Sequence, residues 1–137
     1  MRTFFDTNIL VYTLDTRDSQ RQASATERFA QALSQGRVVM STQVLHEFVN
    51  AITRKLKPAL TLAEASERIT PLLRFEIVGS SAGSVQATLA LAQEHKISWW
   101  DALILEAAIR ADADVLVSED GQHGRRFGKL VVENPFA

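Results

Sequence analysis

The chain has 137 residues, 46% of them hydrophobic and 23% charged, enough for one compact domain with one buried core. It has no cysteine, which excludes disulfides, thiolate metal sites and cysteine nucleophiles, and its formal net charge of −1 gives no whole-molecule attraction to nucleic acid. No apolar run approaches the roughly 18 residues of a membrane span, and no basic segment followed by a long apolar stretch opens the chain. A signal peptide is therefore not expected, and the lack of cysteine suits a reducing cytoplasm.

In chain order, Thr3–Asp6 is predicted as a short buried strand, rich in β-formers. A helical piece over Asn8–Leu14 and a polar loop, Asp15–Gln20, follow. Residues 20–35 carry apolar positions at helical spacing, and Gly36 is a natural stop. Arg37–Ser41 reads as a second buried strand. Ser41 or Thr42 then caps a helix with the stripe Val44, Leu45, Phe48, Val49 and Ile52, running to about Lys57 before Pro58. Thr61 and Glu64 fit a capping box for the next helix, whose end Pro71 obscures. Strands are expected over 75–79, 114–118 and 130–134, with helices over 82–95 and 98–111. No repeat, linker or low-complexity tract divides the chain. Alternating strands and helices, with uninterrupted apolar runs such as Val115–Val117, predict a mostly parallel sheet covered on both faces.

In such sheets ligands bind beyond the carboxyl ends of the strands, where strand order reverses. Asp6 is predicted at one such end, and Ser118-Glu119-Asp120 at another. Glu47 shares a helix face with the apolar Val44 and Ala51, and Asp101 lies among apolar residues in "ISWWDALILEAAI". Both are expected to point inward or into a cleft. Three of the acids have a purely structural alternative. Asp6 or Asn8 could cap a helix, Asp101 could close a cap with Ser98, and Glu47 could sit at the edge of a solvated face. Together they form a set of four carboxylates without matching bases. A buried lone carboxylate costs several kcal/mol, on the order seen for unpaired buried charges. Hard divalent cations relieve such repulsion, and Mg²⁺ accepts a few carboxylates plus water and phosphate. Thr7, Asn8, Asn50 and Ser118 are placed to orient carboxylates or a metal-bound water. His46, expected on a different helix face from Glu47, His95 and His123 do not form a nitrogen-rich site, since no H-x-x-x-H is present.

These same stretches resemble the PIN-domain endoribonucleases, most closely the VapC-type toxins of bacterial toxin–antitoxin pairs. "DTNILVY" is similar to the family's opening strand with its first acid, Asp6. "STQVLHEFVNAITRK" is similar to the helix bearing the second, Glu47. "ISWWDALILEAAIRADADVLVSED" matches the helix with the third, Asp101, and the strand leading to the fourth, Asp120. "SEDGQHGRRFGKLVVENPF" resembles the closing stretch, with Gly121 standing where an apolar residue is usual. The resemblance covers nearly the full length. It implies a single domain over residues 1–137, a three-layer α/β/α PIN fold, and a mostly parallel sheet of four to five strands.

The activity implied is Mg²⁺-dependent (or Mn²⁺-dependent) cleavage of structured RNA, tRNA or ribosomal RNA. The implied partners are a cognate antitoxin and a second copy of the chain, in the cytoplasm. Asp6, Glu47, Asp101 and Asp120 would then be catalytic, with Asp6, Asp101 and Asp120 as metal ligands and Glu47 completing the shell directly or through water. The metal would activate water and stabilise developing charge on the phosphate. Among the basic residues expected to meet RNA (Arg17, Arg21, Arg54, Lys55, Lys57, Arg125, Arg126 and Lys129), Arg125 and Arg126 are favoured because they follow Asp120. Two other readings compete. A phosphatase or phosphotransfer domain would want D-x-D after the first strand, where Asp6 is followed by Thr7-Asn8, or a phosphoacceptor Asp on a middle strand, which neither "VVMS" nor "FEIVG" supplies. A catalytically inactive PIN scaffold that binds RNA or protein would be expected to have lost some of the acids.

Overall fold

A computed structural model describes all 137 residues. Strand β1 (Arg2–Phe5) leads through Asp6 into helix α1 (Thr7–Tyr12) and helix α2 (Ser19–Gln35). Strand β2 (Arg37–Ser41) feeds α3 (Thr42–Arg54) and α4 (Leu62–Ile69), which a 3₁₀ turn, Thr70–Arg74, extends. Strand β3 (Glu76–Val78) precedes the paired helices α5 (Ala82–His95) and α6 (Trp99–Arg110). Strands β4 (Val115–Val117), β5 (Arg126–Phe127) and β6 (Leu130–Glu133) complete the chain.

Local chemistry accounts for most of these boundaries. Ser41 Oγ accepts from Val44 N, and Thr61 and Glu64 form the reciprocal capping box. Pro71 stands inside the 3₁₀ turn rather than in α4, because its ring forbids continuing the α-helical ladder. α3 ends three residues before the predicted limit, at Arg54, and Leu56 folds back onto Ala51 O. Gly36 stops α2, but not through a left-handed cap. Its φ of 170° is ordinary extended backbone. Glycine is required there by close approach, since a Cβ would lie 2.0 Å from the Met1 carbonyl oxygen.

The sheet order is β3-β2-β1-β4-β6-β5, all parallel except the β5–β6 pair. Six strands therefore stand where four to five were expected. The extra strand, β5, is two residues long and hairpins onto β6, too short to leave a periodic signal. Right-handed crossovers outward from β1 to β3 put α1–α4 on one face, and the return to β4 puts α5 and α6 on the other. Contacts among α1, α2, α3 and α4, and separately between α5 and α6, agree with that layering. Phe4, Phe5, Ile9, Val39, Met40, Val44, Ile52 and Val117 are fully buried between the layers. Phe5, Phe29 and Phe75 extend the core as an aromatic ladder with centroids 5.0 and 5.9 Å apart. No helix is long and apolar enough to cross a membrane.

Because the chain runs outward from β1 to β3 and then returns to the other side of β1, strand order reverses between β1 and β4. The carboxyl ends of those two strands carry Asp6 and Ser118.

Candidate active site

Asp6 is 7% exposed and extends the β1–β4 ladder, its N–H donating to Val117 O at 3.0 Å. It caps α1 as one reading of the sequence allowed, with Oδ1 accepting from Thr7 N at 2.7 Å. The cap uses only part of the carboxylate. Oδ2 accepts from Ser118 Oγ at 2.8 Å, and Ser118 Oγ in turn accepts from Asp120 N at 3.1 Å. A single hydroxyl thus ties the end of β1 to the loop after β4. Burial pushes the Asp6 pKa up to about 6. The two hydrogen bonds oppose that rise, and the charges of Asp120 and Glu47 add to it.

Glu47 projects from α3 toward α1. Thr7 Oγ1 donates to its Oε2 at 2.8 Å, and Gln43 Nε2 to its Oε1 at 3.0 Å. Asp120 accepts from Asn8 Nδ2 at 3.2 Å. Burial, Asp101 and Glu119 raise its pKa. Asn8 Oδ1 is buried and has no hydrogen-bond partner. Asp101 is exposed and lines the smaller cleft, the second of its two expected placements. Its backbone N–H, not its carboxylate, meets Ser98 Oγ at 3.1 Å, so the cap leaves the carboxylate free at the cleft rim. Two clefts meet at Asp6 and Asp120. The smaller, of about 120 Å³, is lined by Asp101, Ser118 and Arg125 among others. The larger, of about 640 Å³, runs between α1 and α3 past Glu47 and Asn50. His46 borders the larger cleft as well as a separate groove with Leu45 and Val49 that Glu47 does not line.

No lysine, arginine or histidine forms an ion pair with any of the four acids. No three acid or histidine side chains converge closely enough to enclose a metal ion by themselves. The donor set still fits a hard cation that keeps part of its water shell. All candidate groups are oxygen donors, one buried carboxylate, Asp6, lines both clefts, and the side chain that donates to Asp120 carries an orphaned amide oxygen, Asn8 Oδ1.

The PIN domain family model matches residues 3–128. This chain is a PIN domain. Among curated proteins, none matches the sequence significantly. Solved structures similar to this PIN domain include VapBC2 from Rickettsia felis bound to a promoter DNA fragment, with 23% identity, 98% of each chain covered and a TM-score of 0.69. A toxin–antitoxin complex from Klebsiella pneumoniae shows 21% identity, 97% coverage of each chain and a TM-score of 0.69. Mycobacterium tuberculosis VapC20, described as a sarcin-ricin loop cleaving toxin, shows 17% identity, coverage of 86% of this chain and 91% of that one, and a TM-score of 0.67. At such identities the likeness is one of fold.

Several residues of this PIN domain's site escaped the sequence reading. Gln43 fixes Glu47, and its place four residues earlier on the same helix face was a usable signal. Tyr12 donates to Glu119, the neighbour of Asp120, at 2.9 Å, while Arg21, expected among the residues that meet RNA, is instead ion-paired with Glu119 and Asp18. Phe136 packs edge-on against Tyr12, and Asn134 N donates to His123 Nδ1 at 3.0 Å. The closing segment thereby braces the loop that carries Asp120. No local pattern announces that brace. Of the two favoured basic residues, Arg125 lines the smaller cleft with its guanidinium 4.7 Å from the Phe127 centroid. Arg126 is exposed on β5 and lines neither cleft.

Gly121 also gains an explanation. A Cβ there would lie 2.7 Å from Val132 Cγ1 in the buried interior of β6. Val132 is stiff at χ1, so relief requires the loop to move. Gly121→Ala is expected to cost about 1–3 kcal/mol, as overpacking does. Urea denaturation measures it, and an unchanged midpoint would mean that the loop yields freely.

Proposed function

We propose that this PIN domain is a divalent-cation-dependent endoribonuclease and the toxin of a type II toxin–antitoxin pair. The observation that carries the reading is the group of four acids around one pair of clefts at the sheet's switch point, none of them ion-paired with a basic side chain. The fold neighbours that are toxin–antitoxin complexes, and the one described as an RNA-cleaving toxin, support it.

When bound, Mg²⁺ or Mn²⁺ supplies Lewis-acid activation of water and charge neutralisation at the phosphate. Asp6, Asp101 and Asp120 are the residues that would hold it. Thr7 and Gln43 keep the Glu47 carboxylate turned toward the cleft, where it would complete the metal's shell directly or through water, or accept a proton from water. Ser118 fixes the distance between Asp6 and the Asp120 loop. Asn8 orients Asp120. Asn50 lines the cleft wall without bonding an acid, so its role is contact with substrate or ordered water. Attack by water would leave a 5′-phosphate and a 3′-hydroxyl. Structured RNA such as tRNA or ribosomal RNA is the substrate class, and a small antitoxin whose segment blocks the clefts is the partner. Exposed Trp100 on α6 and Val85 and Leu89 on one face of α5 support a homodimer. The cytoplasm is the expected location.

The test is direct. Purified protein should cut structured RNA with Mg²⁺ or Mn²⁺ and stop with EDTA, and expression alone should arrest bacterial growth unless Asp6 is replaced by alanine. RNA cleavage without growth arrest in several hosts would retain the nuclease and discard the toxin. Absence of both would discard the reading.

A further inference from the structure

The larger cleft has two chemically different ends. Asp6, Glu47 and Asp120 line one part; Arg17 and Lys55 line another together with Asp15, the Arg17 Nη2 lying 3.5 Å from the Lys55 carbonyl oxygen. Along α3, Glu47, Asn50, Ala51 and Lys55 follow at helical spacing and line one stripe of the cleft wall. Eight residues at 1.5 Å each place Lys55 about 12 Å along the axis from Glu47. That distance suits a nucleic-acid strand with one phosphate over the acids and another further along.

The two cations differ in how they are held. Arg17 is fixed by a bidentate pair with the buried Asp15, its Nε and Nη2 donating to Oδ1 and Oδ2 at 2.9 and 2.8 Å. This leaves its Nη1 edge without a protein acceptor while its charge is balanced locally. Lys55 is exposed and forms no ion pair. A cation at a helix C-terminus is favoured by the macrodipole alone. The dipole, however, does not explain why this cation borders the cleft that contains the acids, beside an arginine immobilised by a carboxylate. Arg54 and Lys57, close by in the chain, do not line that cleft.

We propose that the Arg17–Lys55 end of the cleft is a subsite for a flanking RNA backbone phosphate, with Lys55 its mobile charge contact and Arg17 a fixed hydrogen-bond donor. This rests on the nuclease reading and shifts the main backbone contact away from Arg126. Asn50, about 4.5 Å along the helix axis from Glu47, lines the wall between the acids and Lys55, where the intervening backbone would pass.

The experiment compares wild type, Lys55→Gln, Lys55→Arg and Lys57→Gln. A short fluorescein-labelled single-stranded RNA of mixed sequence is titrated in EDTA across a range of NaCl concentrations. Each single-strand phosphate contact contributes about 0.7 to the slope of log K against log[salt]. Lys55→Gln is expected to lower the slope by about that amount, Lys55→Arg to restore it, and Lys57→Gln to leave it unchanged. With Mg²⁺, Lys55→Gln should raise KM and leave kcat near wild type. Equal effects of Lys55→Gln and Lys57→Gln, or none from Lys55→Gln, would overturn the subsite while the nuclease stands. A wild type that neither binds nor cuts any RNA would overturn the nuclease reading itself.

Discussion

Asp6→Asn is expected to abolish most RNA cleavage while making the metal-free protein more stable at neutral pH. Losing a ligand to the cation forfeits several kcal/mol of transition-state stabilisation, roughly 10²–10⁴-fold in rate. Stability moves the other way. Burial pushes the Asp6 pKa up to about 6, against 3.8 for a free side chain. The folded state therefore holds a proton that the unfolded state releases between about pH 4 and pH 6. Without metal, stability falls as pH rises through that window, by about 3 kcal/mol in all, and the full penalty persists above pH 6.

Asparagine removes the penalty and remains as good a helix cap as aspartate. It cannot reproduce both acceptor bonds, because its amide nitrogen would face Ser118 Oγ. The expected gain at pH 7.5 in EDTA is accordingly about 1–3 kcal/mol, shrinking toward zero near pH 4. Urea midpoints at the two pH values measure it. A variant less stable than wild type at pH 7.5 would show that the Ser118 and Thr7 hydrogen bonds outweigh the buried charge.

Asp6 and Asp101 show which parts of the site the sequence discloses. Asp6 was legible because an acid ending an apolar strand is costly unless it has a task. The structure shows two tasks at once, a cap for Thr7 and a carboxylate held at the switch point. Asp101 among apolar neighbours implies a side chain that points inward or into a cleft, and the second is what the structure has: it is exposed, lines the smaller cleft, and the backbone cap at Ser98 leaves its carboxylate free there. Periodicity assigns a helix face but not how far a rim residue reaches into solvent. Strands β1, β2, β3, β4 and β6 followed from apolar runs and their spacing. The hairpin strand β5 did not, because two residues carry no period. The brace on Glu119 was invisible for another reason. Tyr12 and Arg21 reach Glu119 across 107 and 98 residues and pack against Phe136 from the closing segment, and nothing local records the meeting.

Divalent cations should in turn stabilise the folded wild type strongly, and the four acids should differ in how they share that effect. A ligand that binds only the folded state adds about 2.7 kcal/mol at a hundredfold excess over its Kd. For a domain of this size that corresponds to a rise in Tm on the order of 10 °C. Protons compete with the cation for Asp6, so the rise should diminish as pH falls below about 6. Asp101→Asn and Asp120→Asn should each reduce the rise, since Asp101 and Asp120 are close enough for one charge to raise the other's pKa. Glu27→Gln, an exposed acid on α2 that lines neither cleft of the site, should leave it unchanged. Thermal melts with Mg²⁺, with Mn²⁺ and with EDTA measure all four proteins. An undiminished rise in Asp101→Asn would remove that acid from the shared site. Its free carboxylate would then act on the substrate or on water rather than on the cation.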